Sequence, residues 1–262
     1  MIPEYRIESS NVFQNPEHFE IEIELTKNTS MLQFQSAEEY MKKVKVVLKL
    51  VMAGLQGSNF PISYDEQNVI LNDYMRVIYG KNPIPERRIR SSDFIGPQSV
   101  SLELTNISPI NDDFVMPNIR RSYTVTDKAD GVRKLLFIHK TGKIYFIDMN
   151  MNVQFTGTKT DNSDLLNSIV DGEQVLHDKL GNFINIFLAF DIYYFDNRDI
   201  RRHPFIKKSN SGEEKQGKQG KQLNRLEILR DGLFQNLEAY PVVGTAMPVT
   251  FRTKTFYLSN GD

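Results

Sequence analysis

The chain has 262 residues, of which 25% are charged and 40% apolar, a formal net charge of −1, and no cysteine. That balance describes a folded protein able to bury its own core. It speaks against wholesale coating of nucleic acid but leaves room for a local basic groove. Without cysteine there is no disulfide framework, thiolate zinc site or thiol catalysis. The start, Met1-Ile2-Pro3-Glu4-Tyr5-Arg6, lacks the apolar core of a signal peptide. No run approaches the roughly 18 apolar residues of a membrane span. The expectation is a soluble, cytoplasmic protein that is not secreted and has no membrane partner.

Residues 1–28 read as strands. Residues 19–25 alternate strictly, so Glu20, Glu22 and Glu24 share one face opposite apolar side chains. A solvated edge strand and a wall for a hard divalent cation both fit this pattern, and stacked like charges favour the second. Ser36-Ala37-Glu38-Glu39 is a capping box, opening a helix whose apolar positions run from Tyr40 to Leu55 and which stops at Gly57. Ser63-Tyr64-Asp65-Glu66 opens a second helix that stops at Gly80. Residues 29–85 therefore read as a helical connector without chemistry of its own. From Pro83 the character changes to strands and turns: a short basic cluster at Arg87, Arg88 and Arg90, then a strand-like stretch over 100–104. Residues 133–139 and 143–149 form a hairpin through Lys140-Thr141-Gly142. Further strands cover 168–177 and 185–195, around the turn 178–182. Residues 210–222 are a low-complexity insertion, and 249–257 read as a last strand.

The chemistry is concentrated in Lys128-Ala129-Asp130-Gly131-Val132-Arg133, after the strand-like Tyr123-Thr124-Val125-Thr126. A lysine that attacks phosphorus must be neutral at least transiently, which burial, a neighbouring cation or a metal can arrange. The glycine allows a tight turn and close backbone approach to a nucleotide. Arg133 offers forked donors for ribose or phosphate oxygens. Alone, Lys-x-Asp-Gly also suits a surface turn. Forty-three residues beyond Lys128 comes Asp171-Gly172-Glu173, carboxylates suited to a ribose hydroxyl or a divalent metal. Sixteen further comes the apolar strand 187–194, with Phe190 as an aromatic for a purine and Asp191 beside it.

In this order and spacing the three segments resemble the covalent nucleotidyltransferase superfamily of capping guanylyltransferases and ATP- or NAD-dependent ligases. Residues 128–133 match its first motif, 171–173 its third and 187–191 the next. Phe94-Ile95-Gly96-Pro97, Ser101-Leu102-Glu103 and residues 190–201 make the chain most similar to the mRNA capping enzymes of large DNA viruses. The resemblance implies an α+β fold of antiparallel sheets with flanking helices around a nucleotide cleft, here C-terminally incomplete over 86–262. It implies that 1–28 are the last strands of a tunnel-type RNA triphosphatase, with Glu20, Glu22 and Glu24 on its metal wall. Lys128 would attack the α-phosphate of GTP to give a lysyl-guanylate, and GMP would pass to a diphosphate or triphosphate RNA end. Asp130 would orient the site, Arg133 and Glu173 would hold the ribose, and Phe190 would stack on the base. Asp191 would either assist the metal or only brace its strand. Mg²⁺ or Mn²⁺ is the implied cofactor, a methyltransferase domain or subunit an implied partner, and a viral factory or virion the implied location.

The departures from the pattern are also informative. No Asp/Glu-Gly-Leu-Ile/Val motif follows residue 200, since Asp231-Gly232-Leu233-Phe234 sits in a helix-like context, and no Lys-x-Lys motif follows it there. An internal fragment with weak or no activity alone is therefore expected. An ATP-dependent ligase adenylation domain and a non-catalytic RNA-binding scaffold are the alternatives.

Overall fold

The computed structural model describes residues 21–23, 36–110, 117–120, 123–206, 223–242, 244 and 248–259. The chain divides into two compact units, Met1–Val47 and Leu48–Asp262. The boundary falls inside the first helix, α1 (Ala37–Gln56), which starts where the capping box places it: Glu39 N–H donates to Ser36 Oγ at 3.3 Å. Among its residues none is buried, so its apolar stripe adds nothing to the core described here.

Helix α2 (Tyr64–Tyr79) carries both signals read from the sequence. Ser63 Oγ accepts from Glu66 N–H at 3.1 Å, and Gly80 caps the far end at φ 57°. It is more than a connector. Ile70, Tyr74, Met75 and Val77 are buried in one cluster with Leu135, Phe137, Tyr145, Ile147, Phe155 and Ile169 of the main sheet. Each such side chain, fully buried, contributes about 1.5–3 kcal/mol.

That sheet has eight strands. Seven run in the order β7-β6-β5-β2-β3-β4-β8, with every neighbouring pair antiparallel. In chain order they are β2 (Val132–Ile138), β3 (Lys143–Asp148), β4 (Val153–Lys159), β5 (Ser168–His177), β6 (Phe183–Phe195), β7 (Arg198–Asp199) and β8 (Tyr240–Pro241). The eighth, β9 (Thr250–Thr253), lies parallel to β6, from Ile186↔Thr250 to Ala189↔Thr253. A separate two-stranded sheet joins β1 (Tyr123–Val125) to β10 (Tyr257–Ser259). The expected α+β class with antiparallel sheets is therefore what the chain forms.

The second sheet face buries Leu136, Ile138, Ile144, Phe146, Val170, Phe187 and Ala189 with Ile228, Leu229 and Leu233. Those last three lie on a π-helical stretch, Ile228–Phe234, that continues a short helix, Arg225–Glu227. Burial on both faces is why Leu135-Leu136-Phe137-Ile138 is a continuous apolar run rather than an alternating one. It also places Asp231-Gly232-Leu233-Phe234 in a helix, as its context suggested. Two sequence expectations change. The single strand expected over 249–257 is two, β9 and β10, in different sheets. The stretch expected as a strand over 100–104 is not one: residues 100–103 take no regular form and a four-residue helix, Leu104–Ile107, follows. Strand β4 was not legible, because Thr156-Gly157-Thr158 at its centre lacks branched aliphatics and aromatics. Gly157 sits at φ 80° with the Phe60 ring where a Cβ would be.

Candidate active site

The Lys128 loop is fixed from both sides. Before it, β1 pairs with β10, and Thr126 Oγ1 donates to Thr255 O at 2.7 Å. After it, β2 pairs with β5 in the register Arg133↔Glu173 and Leu135↔Asp171. The loop thus spans from the small sheet to the large one. It forms one wall of a cleft of about 600 Å³. The other walls are Val175 and residues 177–179 of the β5–β6 hairpin, Leu188, and residues 253–255 after β9.

Lys128 Nζ lies 2.5 Å from Asp130 Oδ1, and the two side chains are 86% and 91% exposed. Its hydrogen bond to Asp130, and then the charge of that carboxylate, hold the amine above its ordinary pKa and hold Asp130 below its own. The sequence argument required a depressed lysine pKa. The resting site does the opposite, because the amine is in water and its nearest charge is negative.

Gly131 is used differently from the expectation too. A Cβ there would collide with the Gln174 carbonyl and the Glu173 side chain, so its bareness admits β5 rather than a ligand. Its N–H donates to Glu173 Oε1 at 2.8 Å.

Arg133 and Asp171 form the most constrained pair in the site. Arg133 Nε and Nη2 donate to Asp171 Oδ1 and Oδ2 at 3.0 and 2.5 Å, and Nη1 donates to Pro97 O at 2.7 Å. Tyr193 OH also donates to Asp171 Oδ2, at 2.6 Å. Asp171 is 0% exposed, and its bidentate grip raises the Arg133 pKa further. The guanidinium lies 5.5 Å from the Phe94 ring centroid and 5.7 Å from that of Phe190. Three of its five N–H bonds are spent on protein, which leaves two for a ligand. Asp171 is therefore not free for a ribose or a metal.

A β-bulge arranges the rest. Asp171 opposes Asp191 while Gly172 opposes Ala189, so Phe190 is the extra residue. Asp191 then falls directly opposite Asp171 instead of on the far face that strict alternation from Leu188 and Phe190 gives it. Both its oxygens are taken: Arg225 Nε and Nη2 donate to them at 2.9 and 3.0 Å. Burial raises its pKa in spite of the Arg225 charge. Of the two roles left open for Asp191, bracing is the one this geometry fits.

Lys254 is the residue the sequence reading missed. It arrives from the segment after β9 and donates to Asp127 O at 3.1 Å. Its Nζ is also 3.6 Å from Glu173 Oε2 and 5.7 Å from the Phe190 centroid. No local signal marks it, since its partners Phe190, Glu173 and Asp127 lie 64 to 127 positions away in the chain. Glu173, Arg133 and Phe190 do not line the cleft themselves. They stand behind it, reached through Gly131 and Lys254.

Of the acidic N-terminal residues, Glu22 is exposed and residues 21–23 form no regular element, while Glu20 and Glu24 lie outside the described residues. Among the described residues no three His, Asp or Glu side chains converge as a metal site. No described helix is long and apolar enough to cross a membrane.

A lysine at the mouth of a cleft, on a loop leading into an antiparallel sheet with helices on both faces, defines an α+β domain of the nucleotidyltransferase type. The model of the mRNA capping enzyme, catalytic domain, matches residues 27–228, and the chain belongs to that family. It is also similar to a probable mRNA-capping enzyme of Acanthamoeba polyphaga mimivirus, 24% identical over 189 residues. That match covers 71% of this chain and spans 13% of the length of the mimivirus protein.

Proposed function

We propose that this chain is the guanylyltransferase segment of an mRNA capping enzyme, with Lys128 as the nucleophile. The observation that carries the reading is Lys128 at the cleft mouth, with Lys179 and Lys254 on the same cleft. The three lysines share the cavity with Asp127, Asp130 and Asp178; with Asp130 turned to Lys128 and Asp178 taken up by the hairpin turn, the ammonium groups suit a nucleoside triphosphate and a diphosphate RNA end. Lys128 first gives one ammonium proton to water; the free amine then forms a bond to the α-phosphorus of GTP as the bond to pyrophosphate breaks, and a second proton leaves the nitrogen for water. An oxygen of the RNA terminal phosphate then attacks the same phosphorus. The P–N bond breaks, a P–O–P bond forms, and the lysine nitrogen takes back two protons from water.

Arg133, behind the cleft lining, has its plane fixed by Asp171 and Pro97 and keeps two N–H bonds for a ribose or phosphate oxygen that reaches past Gly131 and Lys254. Asp130 holds the Lys128 amine in place before substrate arrives. Glu173 and Phe190 form the floor behind Lys254. The described residues offer no cage for Mg²⁺ or Mn²⁺, so the phosphates of the nucleotide are the place for such an ion.

Incubation with radiolabelled GTP and Mg²⁺, followed by denaturing electrophoresis, tests the reading. A covalent label that needs GTP rather than ATP and disappears in Lys128→Ala supports it. A label that survives Lys128→Ala, or forms equally with ATP, overturns it.

A further inference from the structure

We propose that the β5–β6 hairpin next to the Lys128 cleft is the platform for the 5′ end of the acceptor RNA, with Phe183 stacking on its first base and Lys179 on its backbone. The inference rests on the guanylyltransferase reading and adds where the second substrate sits. The hairpin is one wall of the cleft: Val175, His177, Asp178 and Lys179 face the loop that carries Lys128 and Asp130. His177 is paired with Phe183 across the hairpin, and their rings meet edge to face at 5.7 Å and 68°. The contact orients the Phe183 ring yet leaves it 66% exposed. A large aromatic held at fixed angle in water, on the hairpin that also carries Lys179, is the arrangement on which single-stranded bases stack, without sequence preference.

The tip is built to stay in place. Asp178 Oδ1 accepts from Leu180 N–H and Asn182 N–H at 2.8 and 2.9 Å, Asn182 Nδ2 donates to Oδ2 at 2.9 Å, and Gly181 takes φ 83°. The turn therefore absorbs the Asp178 carboxylate, and these bonds hold it below its ordinary pKa. Of the other charges on the cleft, Lys128 is paired with Asp130, and Lys254 lies against Glu173 and the Asp127 carbonyl. Lys179 is exposed and, among the described residues, makes no ion pair. Its charge still helps hold Asp130 ionised, which places it within electrostatic reach of the nucleophile loop. An RNA end lying on Phe183 and Lys179 brings its terminal phosphate toward the amine that carries GMP.

The test uses the full chain and a short single-stranded RNA with a 5′-diphosphate and a 3′ fluorophore, read by anisotropy. Phe183→Ala is expected to weaken binding about fivefold or more, the lower end for loss of one stacked base, while Phe183→Tyr retains it. Lys179→Ala should lower the slope of log affinity against log salt by about 0.7, one phosphate contact on a single strand. Labelling by GTP should be unchanged in Phe183→Ala. Wild-type affinity in Phe183→Ala, no RNA binding by the wild type, or GTP labelling that falls together with RNA binding overturns the platform. So does self-association abolished by Phe183→Ala at constant RNA affinity, which assigns the ring to a protein contact. RNA binding that depends on Phe183 in a chain that ATP labels as well as GTP, or that is still labelled in Lys128→Ala, supports the platform while refuting the guanylyltransferase reading.

Discussion

Replacing Asp171 by Asn isolates the pair on which the site is built. Asp171 is fully buried and accepts three hydrogen bonds, two from the Arg133 guanidinium and one from Tyr193. Asn keeps the shape, but it removes the charge and turns one acceptor into an NH₂ group pointing at donors. Breaking a buried ion pair from one side costs about 3–5 kcal/mol. Arg133 is 22% exposed and retains its bond to Pro97, so part of its charge is answered by solvent and by that carbonyl. A loss of about 3 kcal/mol is the working figure. At roughly 2–4 °C per kcal/mol for a domain of this size, the thermal midpoint should fall by about 6–12 °C. Tyr193→Phe removes only one charge-assisted bond and should cost about half as much. Thermal unfolding followed by circular dichroism measures both. A midpoint within about 2 °C of wild type in Asp171→Asn would falsify the view that Asp171 is spent on fixing Arg133.

A second test concerns pH and the buried cluster where α2 meets β2. His139 Nε2 lies 2.8 Å from Asp73 Oδ2, and Lys140 and Arg76 also reach that carboxylate. Burial pushes the Asp73 pKa up, but the bonds from His139, Lys140 and Arg76 outweigh it and hold it at about 2. A depressed carboxylate stabilises the fold above its unfolded pKa near 3.9, and that stability, about 2 kcal/mol, is lost as pH falls toward 2. Burial also lowers His139 against the pull of Asp73, so acid begins to cost stability earlier, below about pH 6.5. Urea unfolding at pH 7, 5 and 3 should show both losses in the wild type and only the earlier one in Asp73→Asn; parallel curves would sink the assignment. Asp191→Asn should lower the thermal midpoint without changing the Mg²⁺ concentration that half-saturates GTP labelling, since Arg225 holds both its oxygens. The reverse pattern would return Asp191 to the metal.

Both long helices were legible because a cap is a local device: Ser63 meets Glu66, and Gly80 needs φ 57°. The strands around the site were legible for a related reason, since burial on both faces writes an unbroken apolar run into β2, β3 and β6. Strand β4 was not, because its centre is threonine and glycine and is held by neighbours rather than by its own propensity. The short helix Leu104–Ile107 was missed because the apolar positions around it are exposed and carry no core-facing pattern.

The sequence by itself determined the family and singled out the lysine proposed as nucleophile. Lysine, aspartate, glycine and arginine in six positions, with two acidic strands at suitable distances, are a chemical statement that needs no coordinates. Only the tertiary structure decided which of those groups are free. Register put Asp171 across from the Arg133 strand and consumed it, a bulge at Phe190 turned Asp191 onto Arg225, and β9 brought Lys254 beside Glu173. The reason is physical. Residue type and period are properties of one segment, whereas the partner of a charge depends on how strands slide and fold past one another. One extra residue in a ladder exchanges the partners of every side chain beyond it.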